Sequence, residues 1–158
     1  MLTWRGTPTK ADVANVESLC GKTGFFSSAE VTMSGELVQA WLDDGAESGY
    51  TFLMADVDGV LAGYTCWGAI EGTESAVDLY WIAVDPAHQG AGIGRQLLAG
   101  TEAAIKASGG TRYYAETSST DRYLPTRQFY LRSGFREVAN IADFYRPGDG
   151  KVIYEKLV

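Results

Sequence analysis

The heptapeptide Gln89-Gly90-Ala91-Gly92-Ile93-Gly94-Arg95 places glycine at every second position, just before a leucine-rich stretch of helical period. Backbone that bare, at the mouth of a helix, is suited to holding an anion. The first N–H groups of a helix have no intrahelical partners and carry partial positive charge. Glycines at 90, 92 and 94 let a ligand reach those groups without meeting a Cβ, and Arg95 adds a formal charge beside them. Phosphate is the ligand that such a cradle fits most naturally.

Spacing excludes two common phosphate loops. A P-loop needs a Gly-Lys-Ser/Thr ending, whereas Gly90 is followed five places on by Arg95 and no Lys-Ser/Thr pair is present there. A Rossmann fingerprint needs a third glycine where Arg95 stands, and an acidic ribose ligand on a following strand. The pattern that fits is Gln89-x-x-Gly92-x-Gly94.

Such a loop needs a strand before it and a helix after it. Ala76 to Val84, AVDLYWIAV, reads as a long buried strand stopped by Asp85-Pro86. Ile93, Leu97, Leu98 and Ile105 keep a helical period that Gly109-Gly110 ends. Upstream, Leu2 to Arg5 is a short strand. Thr9 and Asp12 form a capping box for a helix with Val13, Val16, Leu19 and Cys20 on one face, and Ser27 and Glu30 open a second carrying Leu37, Val38, Trp41 and Leu42. The segment between them, GKTGFFSS, is a turn with Phe25 and Phe26 exposed. Asp58-Gly59 joins two β-rich runs as a hairpin, with Gly63 marking a bulge. Downstream, Thr111 to Ser119 is a strand, and Pro125 starts a short helix that ends near Gly134. Phe135 to Phe144 and Lys151 to Leu157 are strands joined by RPGDGK. The order is β-α-α-β-β-β-α-β-α-β-β, without repeats or linkers, and 158 residues suit one domain.

Charge is uneven. Residues 1–80 carry 3 Lys/Arg against 12 Asp/Glu, while residues 81–158 carry 10 against 8, for a net −7 overall. That balance argues against a nucleic-acid partner. No apolar run is long enough to cross a bilayer and no export signal is visible at the start, so a cytoplasmic protein without a membrane partner is expected. Cys20 and Cys66 fit no metal-ligand spacing and read as free buried thiols. His88, the one histidine, reads as a surface residue without a catalytic role. No metal is expected.

The Gln89-x-x-Gly92-x-Gly94 pattern resembles the coenzyme A pyrophosphate loop of the GNAT superfamily of N-acetyltransferases. A second motif follows one strand later. The FY-x-x-x-GF core of RYLPTRQFYLRSGFR, Phe129-Tyr130 and Gly134-Phe135, resembles the family's helix running into a strand. The element order is also the family's, so the resemblance covers nearly the whole chain. It implies an α/β (α+β) GNAT fold, a single domain over residues 1–158. The mixed, twisted central sheet would have about six to seven strands, flanked by helices on both faces. It also implies that Ala76 to Val84 runs parallel to the next strand and splays from it. The pantetheine arm of acetyl-CoA would pair with the backbone of Ile82, Ala83 and Val84 like an added strand. The pyrophosphate would meet Gln89, Gly90, Ala91, Gly92, Ile93, Gly94 and Arg95.

The implied activity is acetyl-CoA-dependent N-acetyl transfer to a primary amine, by direct attack through a tetrahedral intermediate, with acetyl-CoA as co-substrate. The amine must lose a proton, since an alkylammonium has a pKa of about 10.4. The oxyanion needs a donor, which a strand N–H at a bulge supplies, and the departing thiolate needs a proton. Tyr130 matches the family tyrosine that approaches the CoA sulfur. A phenol pKa of about 10 exceeds a thiol's roughly 8.5, so hydrogen bonding to the developing thiolate comes first, and full transfer comes late or from a perturbed pKa. Asp78 stands eleven residues before Gln89, the spacing at which some members carry a catalytic glutamate. Being shorter, it would act as base through a water, and Glu116 competes for that role. Arg127 and Arg132 fall either on CoA phosphates or on a solvated helix face.

By the same resemblance the acceptor is bounded by the Phe25-Phe26 turn, the second helix, Trp67 and the aromatic hairpin around Phe144 and Tyr145. The acidic N-terminal half suggests a cationic amine, either a small molecule or a peptide. A lysine side chain, a polyamine, an aminosugar and an amino acid all qualify, and a homodimer is compatible with the family. Two rival readings remain open: a non-catalytic CoA-binding sensor or scaffold of GNAT shape, and a regulatory domain that uses the glycine loop for another nucleotide.

Overall fold

Asp58 and Gly59 have φ values of 50° and 80°, the left-handed pair that a two-residue hairpin needs to match strand twist. The computed structural model describes all 158 residues and sets the expected element order around this turn. The elements are β1 (Leu2–Arg5), α1 (Ala11–Thr23), α2 (Ser28–Asp44), β2 (Thr51–Val57), β3 (Val60–Ala69), β4 (Ala76–Val84), α3 (Ile93–Ala107), β5 (Arg112–Ser118), α4 (Leu124–Arg132), β6 (Arg136–Arg146) and β7 (Asp149–Leu157). Seven strands form one mixed sheet in the order β1-β2-β3-β4-β5-β7-β6. β4 and β5 run parallel, in register from Ala76 opposite Arg112 to Asp78 opposite Tyr114, and α3 supplies the crossover that parallel neighbours require. The neighbours β1/β2, β2/β3, β5/β7 and β6/β7 are antiparallel. This is the α/β architecture expected from the sequence.

The chain divides into two compact units, Met1–Gly68 with Leu79–Ala104 and Ala69–Asp78 with Ile105–Val158. In the first unit, strand alternation sends side chains to two cores. Phe52, Met54, Tyr64, Cys66 and Ala83 join Val16, Leu19, Cys20 and Val38 of α1 and α2. Ala55 and Ala62, with the half-buried Leu53, Ile82 and Val84, meet Ile93 and Leu97 of α3. Because both faces are covered, the strands read as nearly continuous apolar runs. Thr65 and Thr101, both fully buried, share a 2.7 Å hydroxyl hydrogen bond.

Three local expectations change in this unit. The Ser27–Glu30 capping box forms completely, but α1 begins after Lys10 without a side-chain cap. Thr9 donates to Asp12 through its amide and hydroxyl, and Arg5 donates to both oxygens of the same carboxylate at 2.6 and 2.8 Å. Burial alone would raise the Asp12 pKa, yet the Arg5, Thr9 and Asn15 hydrogen bonds outweigh it and hold it at about 2. Phe25 and Phe26 are half-buried rather than exposed, because Phe26 packs on Trp81 with centroids 4.9 Å apart. The bulge sits at Ala62, beside Gly63, where the register with β2 shifts. Both cysteines are free and buried, as expected, and the Trp81 indole donates to Cys20 Sγ at 3.2 Å.

In the second unit one sheet face is closed and the other is partly open, with Glu155 buried on it. Tyr113, Ala115 and Thr117 of β5 and Val152 and Tyr154 of β7 are buried with Tyr130 and Phe135. The residues between them, Tyr114, Glu116, Ser118, Lys151 and Ile153, together with Asp78 of β4, stay half-buried or exposed. β5 is one residue shorter at each end than expected. The β6–β7 connection is tighter than the expected RPGDGK loop: Arg146 pairs with Asp149 and only Pro147-Gly148 lies between. The slack appears earlier, where the register jumps between Ile141 and Arg146. Asp143, at φ 55°, accepts from the Gly148 amide at 2.8 Å there.

Candidate active site

β4 delivers the chain to Asp85, whose carboxylate accepts from the Ala87 amide at 2.9 Å and from Lys22 at 3.2 Å. A short turn over Pro86–His88 follows. Buried Ile93 pins the helix start, while residues 89–92 are exposed. Gly90 and Gly92 have φ values of 85° and 81°, a region that costs an L-residue about 1–2 kcal/mol. A Cβ at Gly90 would meet nothing within 4 Å, and one at Gly92 only the Gln96 side chain at 3.8 Å. Glycine is thus set by the backbone and by the open space above it, and neighbouring side chains do not require it.

Two loop amides bond within the chain, Gln89 to the Pro86 carbonyl and Ala91 to the His88 carbonyl, each at 3.4 Å. The first bond into the helix runs from Gln96 to the Gly92 carbonyl at 3.1 Å. The amides of Gly90, Gly92, Ile93, Gly94 and Arg95 take no partner in the chain. Five open donors, at the positive end of a 15-residue helix, fit a diphosphate. The Gln89 side chain donates to the Val84 carbonyl at 3.4 Å, so one of the β4 acceptors expected to bind a ligand already has an internal contact.

In the second unit, α4 turns Tyr130 inward until it is only 5% exposed. Its ring packs between Phe135 and Tyr154, at centroid distances of 5.1 and 5.7 Å. The hydroxyl has no hydrogen-bond partner in the chain. It is not sealed from solvent either, since His88 Nδ1 is the one buried side-chain N or O atom left without a partner. Burial, and then Tyr154, push the Tyr130 phenol well above its ordinary pKa. A pKa shifted in this direction favours the protonated hydroxyl.

Asp78 is half-buried and has neither an ion pair nor a hydrogen bond. Burial raises its pKa, Glu116 raises it further, and Lys151 opposes both. Glu116 itself is paired with Lys151 Nζ at 2.8 Å. Of the two carboxylates that compete for the role of base, one is therefore engaged and the other free. Sequence reasoning missed Lys151. Its signal was the alternation of β7, which puts Lys151 on the same face as Glu116.

Other expectations separate. Arg127 donates to the Ser118 and Thr120 carbonyls at 2.8 and 2.7 Å, fixing the turn after β5. Arg132 is exposed. Trp67 is 6% exposed, which leaves little of it for an acceptor. Phe144 and Tyr145 do stand out, 50% and 47% exposed and edge-to-face at 5.0 Å. His88 is not a simple surface residue, because its Nδ1 is buried.

Known proteins share this fold. The family model of the GNAT acetyltransferase domain matches residues 48–137. A solved protein from Desulfovibrio desulfuricans, assigned to the GNAT family, is 40% identical, with a TM-score of 0.96 over 99% of each chain. A Salmonella typhimurium protein solved with its cofactor acetyl-CoA shares the fold, with a TM-score of 0.76 over 99% of this chain and 93% of that one at 22% identity. The L-amino acid N-acyltransferase MnaT of Escherichia coli is 30% identical over 95 residues, 56% of this chain and 55% of that protein. The chain thus matches about half the length of that curated relative. From the family match and the full-length likeness together, the chain belongs to the GNAT family of acetyltransferases.

Proposed function

We propose that the chain transfers the acetyl group of acetyl-CoA to a primary amine, with residues 1–158 working as one GNAT domain. The observation that carries this reading is the set of five open amides from Gly90 to Arg95, on a loop whose glycines leave clear space above them. These amides would hold the diphosphate, and the β4 backbone at Ile82, Ala83 and Val84 would hold the pantetheine arm. When bound, acetyl-CoA supplies a thioester carbonyl for attack and a thiolate as leaving group. The Tyr130 hydroxyl donates a hydrogen bond to that sulfur. It stays protonated, because its pKa lies above that of the thiol, and the second proton that the attacking nitrogen loses as the tetrahedral intermediate collapses goes to the departing thiolate. Asp78, free of partners and with a raised pKa, takes the proton of the acceptor's ammonium, directly or through a water.

The acidic residues 1–80 favour a cation, and the Escherichia coli relative is named for L-amino acids. A free amino acid is therefore the first acceptor to test. The test is a panel of amino acids, polyamines, aminosugars and a lysine peptide, following release of free CoA thiol, with acetyl-CoA affinity measured in parallel. Acetyl-CoA is expected to raise Tm strongly, ATP and NAD hardly at all, and at least one amine class to release thiol. Failure of acetyl-CoA to bind would end the proposal. Binding without transfer to any amine would turn it into a scaffold.

A further inference from the structure

The Asp78 face of the second unit carries more charge than one base needs. Asp78 lies opposite Tyr114. Glu116 follows two residues along β5 on the same face. Across on β7, Ile153 lies opposite Glu116 and Lys151 opposite Ser118, so Lys151 shares that face too. Its Nζ sits 2.8 Å from Glu116 and 4.3 Å from the centroid of the Phe144 ring. The Lys151 side chain is 17% exposed against 45% for Glu116, so the cation is the anchored member of the pair and Glu116 reaches in to it.

We infer that Lys151 is a positioning residue for acetyl transfer: its ion pair with Glu116 takes that carboxylate out of competition and leaves Asp78 as the one that meets the acceptor's amine. The inference rests on the proposed role of Asp78 as base. Two carboxylates sharing one face of a sheet cannot both ionise freely, and the unpaired one retains its proton to higher pH. With Lys151 present, the charge on Glu116 is balanced locally. The other ionisable groups on this face are already committed. The Tyr114 hydroxyl donates to Glu155 at 2.6 Å, Arg136 donates to Glu155 at 2.8 Å, and Arg112 lies 3.7 Å from it. None of them is free to replace Lys151. Glu116 and Lys151 are the two charges that act on Asp78; Tyr80 is the next residue on this face of β4. Phe144 adds a reason for lysine to stay in place, since a cation over an aromatic face gains attraction that water does not supply.

The test is the pH dependence of kcat/KM for the full chain and for Lys151→Met, Lys151→Arg, Glu116→Gln, the Lys151→Met/Glu116→Gln double variant and Asp78→Asn. Lys151→Met should move the limb below neutrality upward by about half a pH unit or more, because the freed Glu116 charge disfavours ionisation of Asp78. Glu116→Gln should move it downward. The double variant and Lys151→Arg should lie close to the parent. Carbon-13 titration of the Asp78 carboxyl in the ligand-free protein should show the same order, a readout that a purely structural role would not move. If Asp78→Asn removes the limb and Lys151→Met leaves it in place, the role of Lys151 is overturned. If Asp78→Asn leaves both rate and limb unchanged, the base assignment fails instead. Should Lys151→Met fold poorly, Glu116→Gln decides alone, and an unmoved limb with that variant overturns the inference.

Discussion

In the first unit α1 and α2 cover one face of the sheet and α3 the other. In the second, the closed face packs against Tyr130 and Phe135 while the opposite face stays partly open. The two arrangements leave different material for chemistry. Where both faces are covered, side chains are consumed by packing, and what remains free is backbone at a strand end: the amides after β4. Where one face is partly open, carboxylates and a lysine can sit on it within reach of one another, and Glu116 and Lys151 act in opposite directions on the pKa of Asp78. Burial of a charged group needs a partner, so such a cluster cannot form in the doubly covered unit except as a closed network. Arg5 with Asp12 and Asp56 is that case.

Gly92→Val attacks the backbone side of this comparison and carries the largest expected effect. A side chain at φ 81° over the open amides should weaken acetyl-CoA binding about a hundredfold, roughly 2.7 kcal/mol, as read by calorimetric titration. Any loss of Tm should be limited to the strain of one left-handed residue, because a Cβ there meets only Gln96. Unchanged affinity would remove the loop from cofactor binding. Tyr130→Phe probes the side-chain half. It should lower kcat about tenfold, near 1.4 kcal/mol, while acetyl-CoA affinity and Tm hold, since the hydroxyl bonds to nothing in the chain. A fall in Tm with kcat intact would make Tyr130 a packing residue and blur the contrast between the units. The smallest effect concerns the covered unit itself. Thr65→Val strands the Thr101 hydroxyl in the core and should cost about 1–2 kcal/mol in denaturant melts. Adding Thr101→Val should recover most of that cost, with acetyl-CoA affinity unchanged in both variants.

Much of the fold was legible because its signals are local. Asp58-Gly59, the Ser27–Glu30 box, Pro125 and the glycine run each act within a few residues, and each appears where the sequence placed it. The errors share a different cause. The Thr9–Asp12 box depends on Arg5 from β1, the burial of Phe26 depends on Trp81 from β4, and the β6–β7 turn tightens because Asp143 catches the Gly148 amide. Partners distant in sequence, or a turn stabilised from outside it, leave no periodic trace. The site divides the same way. The loop was readable from its spacing, whereas the pairing of Glu116 with Lys151 was not, because Lys151 lies 35 residues beyond Glu116 in the chain.

The sequence by itself determined the element order, the hairpin turn and the exposed glycine loop at the mouth of a helix, since backbone preference and side-chain period act over short spans. The tertiary structure alone decided which ionisable groups are buried and which are paired. It buried the Tyr130 ring beside Tyr154 and raised its pKa, tied Glu116 to Lys151 and left Asp78 without a partner. Ionisation responds to solvent exclusion and to charges brought near through space, and neither exists until strands distant in the chain lie side by side.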